Sequence, residues 1–113
     1  MLADLLIECG MDRRVAKVLA YLSEVEKATS REIEINLGMR QPEVSLTMKK
    51  LKELGWVSVV VESKKSGKGR PQNVYILNCN IKEIIKEFIR EKREEIQELN
   101  EKLGKLEEII EKY

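Results

Sequence analysis

The sequence predicts a mainly α-helical domain with one small β-hairpin, followed by a single long helix. Three observations predict it. Residues 10–55 run as short amphipathic helical segments punctuated by glycine, and residues 56–77 hold two β-branched runs around a Gly- and Lys-rich turn. Residues 80–113 then place apolar side chains every three or four positions. A chain of 113 residues has room for one compact domain and one protruding element.

The elements follow in order. Leu2, Leu5, Leu6 and Cys9 recur at helical spacing, and Gly10 ends that short segment. Asp12 is placed to cap the next helix, whose apolar face is Val15, Val18, Leu19 and Leu22. Thr29 with Glu32 three residues on is a capping-box pattern, opening a helix that holds Ile33 and Leu37 and stops at Gly38. After the turn Met39-Arg40-Gln41, Pro42 fits the first position of another helix, where its missing N–H is no loss. Val44, Met48, Leu51 and Leu54 form one stripe of that helix, and Gly55 ends it. Two helices joined by a short turn after glycine, the second amphipathic, make a helix-turn-helix pattern.

Residues 56–62, WVSVVVE, and residues 73–77, NVYIL, read as paired strands. Between them SKKSGKGRP, residues 63–71, marks a hairpin tip carrying Lys64, Lys65, Lys68 and Arg70. A basic hairpin directly after a helix-turn-helix is the wing of a winged helix. Asn80 with Glu83 opens the last helix, of about 33 residues. Its seam runs 4-3-4-3 through Ile85, Ile89, Lys92, Ile96, Leu99, Leu103, Leu106, Ile110 and Tyr113, a heptad repeat broken only by Lys92. A second stripe, Ile81, Ile84 and Phe88, is predicted to pack on the winged domain. The predicted domains are therefore 1–79, winged helix-turn-helix, and 80–113, a dimerisation helix.

Charge is distributed unevenly. The net charge is +1, yet residues 40–72 carry +5 between flanks of −2 each, a local footprint for a polyanion. Histidine is absent, which removes imidazole metal sites and triads with a histidine base. Cys9 and Cys79 stand seventy residues apart and read as small buried apolar residues. A redox role is the alternative, with Lys82 near Cys79 its sole support. No catalytic residues, metal ligands or cofactor are expected, and the Glu-rich faces of the last helix read as solubilising charge. MLADLLIECG is too short and too acidic for a secretory signal, and no apolar run reaches membrane-spanning length, so a cytoplasmic protein is expected.

A recognition helix at 42–54 with Val44 facing inward presents Pro42, Ser45, Leu46, Lys49 and Lys50 outward. Arg40 and Gln41 stand at its N-terminal end. Arg pairs with guanine and Gln with adenine through two hydrogen bonds; Leu46 fits a thymine methyl, or the core if the helix phase is off by one. Ser45, Lys49 and Lys50 are groove or phosphate contacts. Lys64, Lys65, Lys68 and Arg70 are phosphate or minor-groove contacts, with Gly67 and Gly69 allowing close approach.

The segment RQPEVSLTMKKLKELGWVSVVVESKKSGKGRPQNVYIL, residues 40–77, resembles the recognition helix and wing of prokaryotic, especially archaeal, winged-helix regulators of the MarR/ArsR/TrmB-like group. The preceding VAKVLAYLSEVEKATSREIEINLG is similar to their first two helices, so the resemblance covers residues 10–78. It implies a dimeric repressor or activator of transcription. The chain departs from ArsR-type sensors in lacking a Cys/His ligand set, and from TrmB-type regulators in having no effector domain after the long helix. An effector is therefore unassigned.

The expected function is sequence-specific binding of double-stranded DNA by a homodimer. The alternative is a winged-helix protein-docking module in a transcription or degradation complex. Dimerisation is assigned to Ile85, Ile89, Ile96, Leu99, Leu103, Leu106 and Ile110, with Ile89, Ile96, Leu103 and Ile110 at a and the rest of the seam at d. A parallel pairing sets Lys92 against Lys92. An antiparallel coiled coil centred near Gln97–Glu98 sets Lys92 against Leu103 and flanks the seam with Lys86–Glu107, Glu95–Lys102 and Phe88–Ile109. The rival is a monomer whose last helix folds back on its own domain.

Overall fold

The structure, a computed structural model of the chain, describes residues 1–62 and 71–113. They form α1 (Leu2–Glu8), α2 (Arg13–Val25), β1 (Lys27–Thr29), α3 (Ser30–Leu37), α4 (Gln41–Glu53), β2 (Val57–Glu62), β3 (Gln72–Leu77) and α5 (Ile81–Lys112). The chain divides into two units, Met1–Ile81 and Lys82–Tyr113.

In the first unit side-chain caps open α2 and α3, and glycines close α3 and α4. Asp12 Oδ1 accepts from the N–H groups of Arg14 at 2.9 Å and Val15 at 3.3 Å. That satisfies two donors the first turn of α2 would otherwise leave open. Thr29 and Glu32 make the reciprocal capping box at the start of α3, both bonds 3.1 Å. Gly38 closes α3 at φ 63°, a left-handed conformation that a residue without Cβ adopts freely. Gly55 at φ 79° does the same work after α4, reversing the chain into β2.

The sheet has the strand order β1-β3-β2, and both pairings are antiparallel. The hairpin β2–β3 runs from Val57 opposite Leu77 to Glu62 opposite Gln72. The third strand was not anticipated. Lys27, Ala28 and Thr29 pair with Ile76, Tyr75 and Val74. Three residues are too few to show a period-2 pattern, and no Gly or Pro announces the turn before them. Glu26 makes that turn at φ 69°, a conformation uncommon for a residue with a side chain. The left-handed residue stops α2 and throws the chain directly into the sheet edge.

The core of this unit is where the helical faces and the sheet meet. Leu19, Leu22, Ile33, Val44, Met48 and Leu51 are fully buried, and Trp56, Val57 and Val74 join them. Thr47 is buried as well, on the same face of α4 as its apolar neighbours. Leu54, read from its spacing as part of that stripe, is partly exposed instead, because α4 ends at Glu53. Both cysteines are also exposed, against the expectation that they are core residues. The cause is local: Cys9 follows the last residue of α1, and Cys79 lies in the bend between β3 and α5. Other turn positions, such as Met11, Met39 and Trp56, do enter the core, so exposure here is a property of these two turns.

The second unit is α5 from Lys82 onward with Tyr113; the whole helix has 32 residues. Ile84 and Phe88 are buried, whereas its heptad seam is largely uncovered. No helix among the described residues is long and apolar enough to cross a membrane.

Candidate nucleic-acid interface

The surface of interest is the outer half of α4. A helix repeats every 3.6 residues, so burying Val44, Met48 and Leu51 forces the intervening positions outward. Arg40, Gln41, Pro42, Ser45, Leu46, Lys49 and Lys50 are all exposed. Leu46 retains 70% of its surface, so it belongs to the outer face and the assumed helix phase is correct. Lys49 and Lys50 form no ion pair with any described residue. Their charge is therefore uncommitted within the described chain. Lys64, Lys65, Lys68 and Arg70, with Gly67 and Gly69, lie outside the described residues.

The start of α4 is held by a residue that sequence reading passed over. Glu43 accepts the backbone N–H of Arg40 at Oε1, 3.3 Å, and the Nε–H of Arg14 at Oε2, 2.7 Å. One carboxylate thus closes the first turn of α4 and ties it to the first turn of α2. The signal was present as a Glu three residues after the N-cap position. It was missed because the N-cap is Arg40 and not the Ser or Thr of the usual pattern. The backbone donor from Arg40, followed by the hydrogen bond and charge of Arg14 and the charge of Arg40, holds the Glu43 carboxyl below the usual carboxylate range.

A depressed folded-state pKa gives a stability contribution present above the unfolded value and lost as pH falls through the folded one. Glu43→Gln removes that titration. Acid unfolding curves should show wild type losing stability relative to the variant as pH drops below the ordinary carboxylate range. Parallel curves would show that the Arg14–Glu43 tie contributes nothing.

Among the described residues no group of three or more His, Cys, Asp or Glu side chains is arranged to hold a metal ion. The exposed face of α4 offers basic, amide and hydroxyl groups together with the apolar Pro42 and Leu46.

Comparison with solved structures decides the fold. The chain is similar to NMB1585, a MarR family regulator from Neisseria meningitidis, with a TM-score of 0.55 over 97% of this chain and 83% of that one. The fold is a winged helix. Sequence identity is 16%, so the likeness extends to architecture and not to individual contacts. No protein-family model and no curated protein matches the sequence. In the winged domain, α3 and α4 supply the helix-turn-helix and β2–β3 the wing strands. The predicted recognition helix, 42–54, corresponds to α4 with its first residue at Gln41.

The residues assigned to dimerisation sit on α5. Ile89, Ile96, Leu99, Leu103, Leu106 and Ile110 are 44–71% exposed, and Ile85 is half-buried. This stripe of exposed Ile and Leu at heptad spacing has no cover among the described residues.

Proposed function

We propose that the protein is a homodimeric transcriptional regulator that binds double-stranded DNA sequence-specifically. In this reading α4 lies in the major groove and the 63–71 wing on the backbone or in the minor groove, and two chains join through α5. The observation that carries it is the outer face of α4. An α-helix fits the width of the major groove, and this one presents Arg40, Gln41, Ser45, Leu46, Lys49 and Lys50, with lysine charge that no described residue pairs. Arg40 and Gln41, at its N-terminal end, are the base readers. Lys49, Lys50 and the wing residues Lys64, Lys65, Lys68 and Arg70 are mainly phosphate contacts. The winged-helix architecture supports the docking geometry, and the +5 charge of residues 40–72 supplies attraction for a polyanion.

Duplex binding measured against salt tests this. Lys68→Ala with Arg70→Ala should weaken binding to every sequence and flatten the log–log salt slope by about one unit per lost phosphate contact. Gln41→Ala should shift preference at one base position, by about 1–3 kcal/mol. Wild-type protein with no duplex affinity at low salt would sink the proposal and favour the protein-docking module.

A further inference from the structure

Resting on the proposal that α5 joins two copies, we infer that the second copy docks antiparallel, in the single register that places residue i opposite residue 195 − i of the partner. The occupant of the exposed stripe is thus another α5, and charge complementarity selects both direction and register.

The seam is apolar at every position but one. Lys92 is at d, and the structure shows where its charge goes. Its Nζ lies 5.5 Å from the Phe88 ring centroid and 3.2 Å from Glu95 Oε2. Both partners occupy g positions, so the ammonium is drawn to one edge of the seam while the stem lies along it. An antiparallel partner brings Leu103 to this level, an apolar side chain for the stem to cover. A parallel partner brings a second Lys92 to the same level, and two ammonium groups then share one layer.

The flanking residues choose the register. Antiparallel helices pair g with g and e with e. With the seam set at 195 − i, the nearest such neighbours, each two residues off level, are Glu95 with Lys102, Lys86 with Glu107, Arg93 with Asn100, and Phe88 with Ile109. Two are attractive, each occurring twice by symmetry, and none opposes like charges. Phe88 is already buried within the chain, so the Phe88–Ile109 pair adds little and the two ion pairs carry the choice. A slip of one heptad in one direction sets Lys102 against Lys102 and leaves Ile85 unpaired. A slip in the other sets Arg93 against Arg93 and Glu95 against Glu95, and leaves Ile110 unpaired. The 195 − i register is the one that joins Ile85–Ile110, Ile89–Leu106 and Ile96–Leu99 in full.

The test is oxidative cross-linking in full-length protein carrying Cys9→Ser and Cys79→Ser, whose native cysteines are exposed and replaceable. Glu95→Cys and Lys102→Cys are prepared singly and mixed under exchange. A disulfide dimer should form in the mixture and in neither variant alone, because self-pairs lie about 10 Å out of register, beyond the Cα separation a disulfide spans. Leu106→Cys alone should give none, since antiparallel self-pairs lie about 25 Å apart along the axis. Cross-linking of Leu106→Cys indicates a parallel coil and overturns the inference, as does a monomer by sedimentation.

A charge swap gives a second readout. Glu95→Lys should weaken the dimer roughly tenfold, and Glu95→Lys with Lys102→Glu should restore it. In a parallel coil Lys102→Glu would instead face Glu107, and no restoration would follow. Duplex binding by the same preparations is scored separately. An antiparallel dimer that ignores DNA would reject the regulatory function and leave this pairing intact.

Discussion

Leu51→Ala is expected to destabilise the winged domain by about 2–5 kcal/mol, read from chemical denaturation. Leu51 is fully buried on the inner face of α4, so truncation loses transfer free energy and leaves a cavity. A small domain is stable by only about 5–15 kcal/mol, so this one substitution can remove a large share of it. Leu46→Ala, on the opposite face of the same helix and 70% exposed, should leave stability within about 0.5 kcal/mol. Its effect should instead fall on DNA affinity, where a thymine methyl loses its apolar neighbour. The pair separates the two roles of one helix. Equal loss of stability in both variants would place Leu46 in a core that the structure does not give it.

Ile96→Lys is expected to break the proposed dimer. Ile96 is 58% exposed in the single chain and belongs to the central layer of the proposed coil. Removing one such side chain from each chain forfeits about 1.5–3 kcal/mol per copy, so the dimer constant should weaken at least about 100-fold. The winged domain should keep its unfolding midpoint, because the change lies outside Met1–Ile81. Helical circular dichroism should fall, since a lone helix with an uncovered apolar seam is marginal in water. Operator affinity should fall with the dimer. Unchanged sedimentation would remove α5 from the interface.

Much of the architecture was legible because it rests on local chemistry. Asp12, the Thr29–Glu32 pair, Gly38 and Gly55 each act within a few residues of where they stand, and each is found in its expected role. The phase of α4 was legible too, since Val44, Met48 and Leu51 leave little choice of buried face. What escaped depends on contacts distant in sequence or on conformations the residue type does not announce. β1 exists because β3 offers it an edge, and it begins after a glutamate in a left-handed conformation. The Glu43 tie needs Arg14, twenty-nine residues earlier. The cysteines were placed by the average habit of their residue type, whereas the two turns that hold them face outward.

The uninterrupted length of α5 has a geometric consequence. Thirty-two helical residues span about 48 Å at 1.5 Å per residue. In an antiparallel pair that length becomes the distance between the points where the two winged domains join the rod. It exceeds the 34–36 Å of one DNA turn, the separation of half-sites read by the most compact two-fold dimers. On the proposed pairing the rod would act as a spacer gauge. Adding one heptad keeps the seam in phase and lengthens the gauge by about 10 Å, roughly three base steps at 3.4 Å each. Gly104, where an added Cβ would meet nothing within 4 Å, is the one glycine in that span. A glycine inside a helix costs about 1 kcal/mol of local helix stability relative to alanine, so Gly104→Ala is expected to stiffen α5 there.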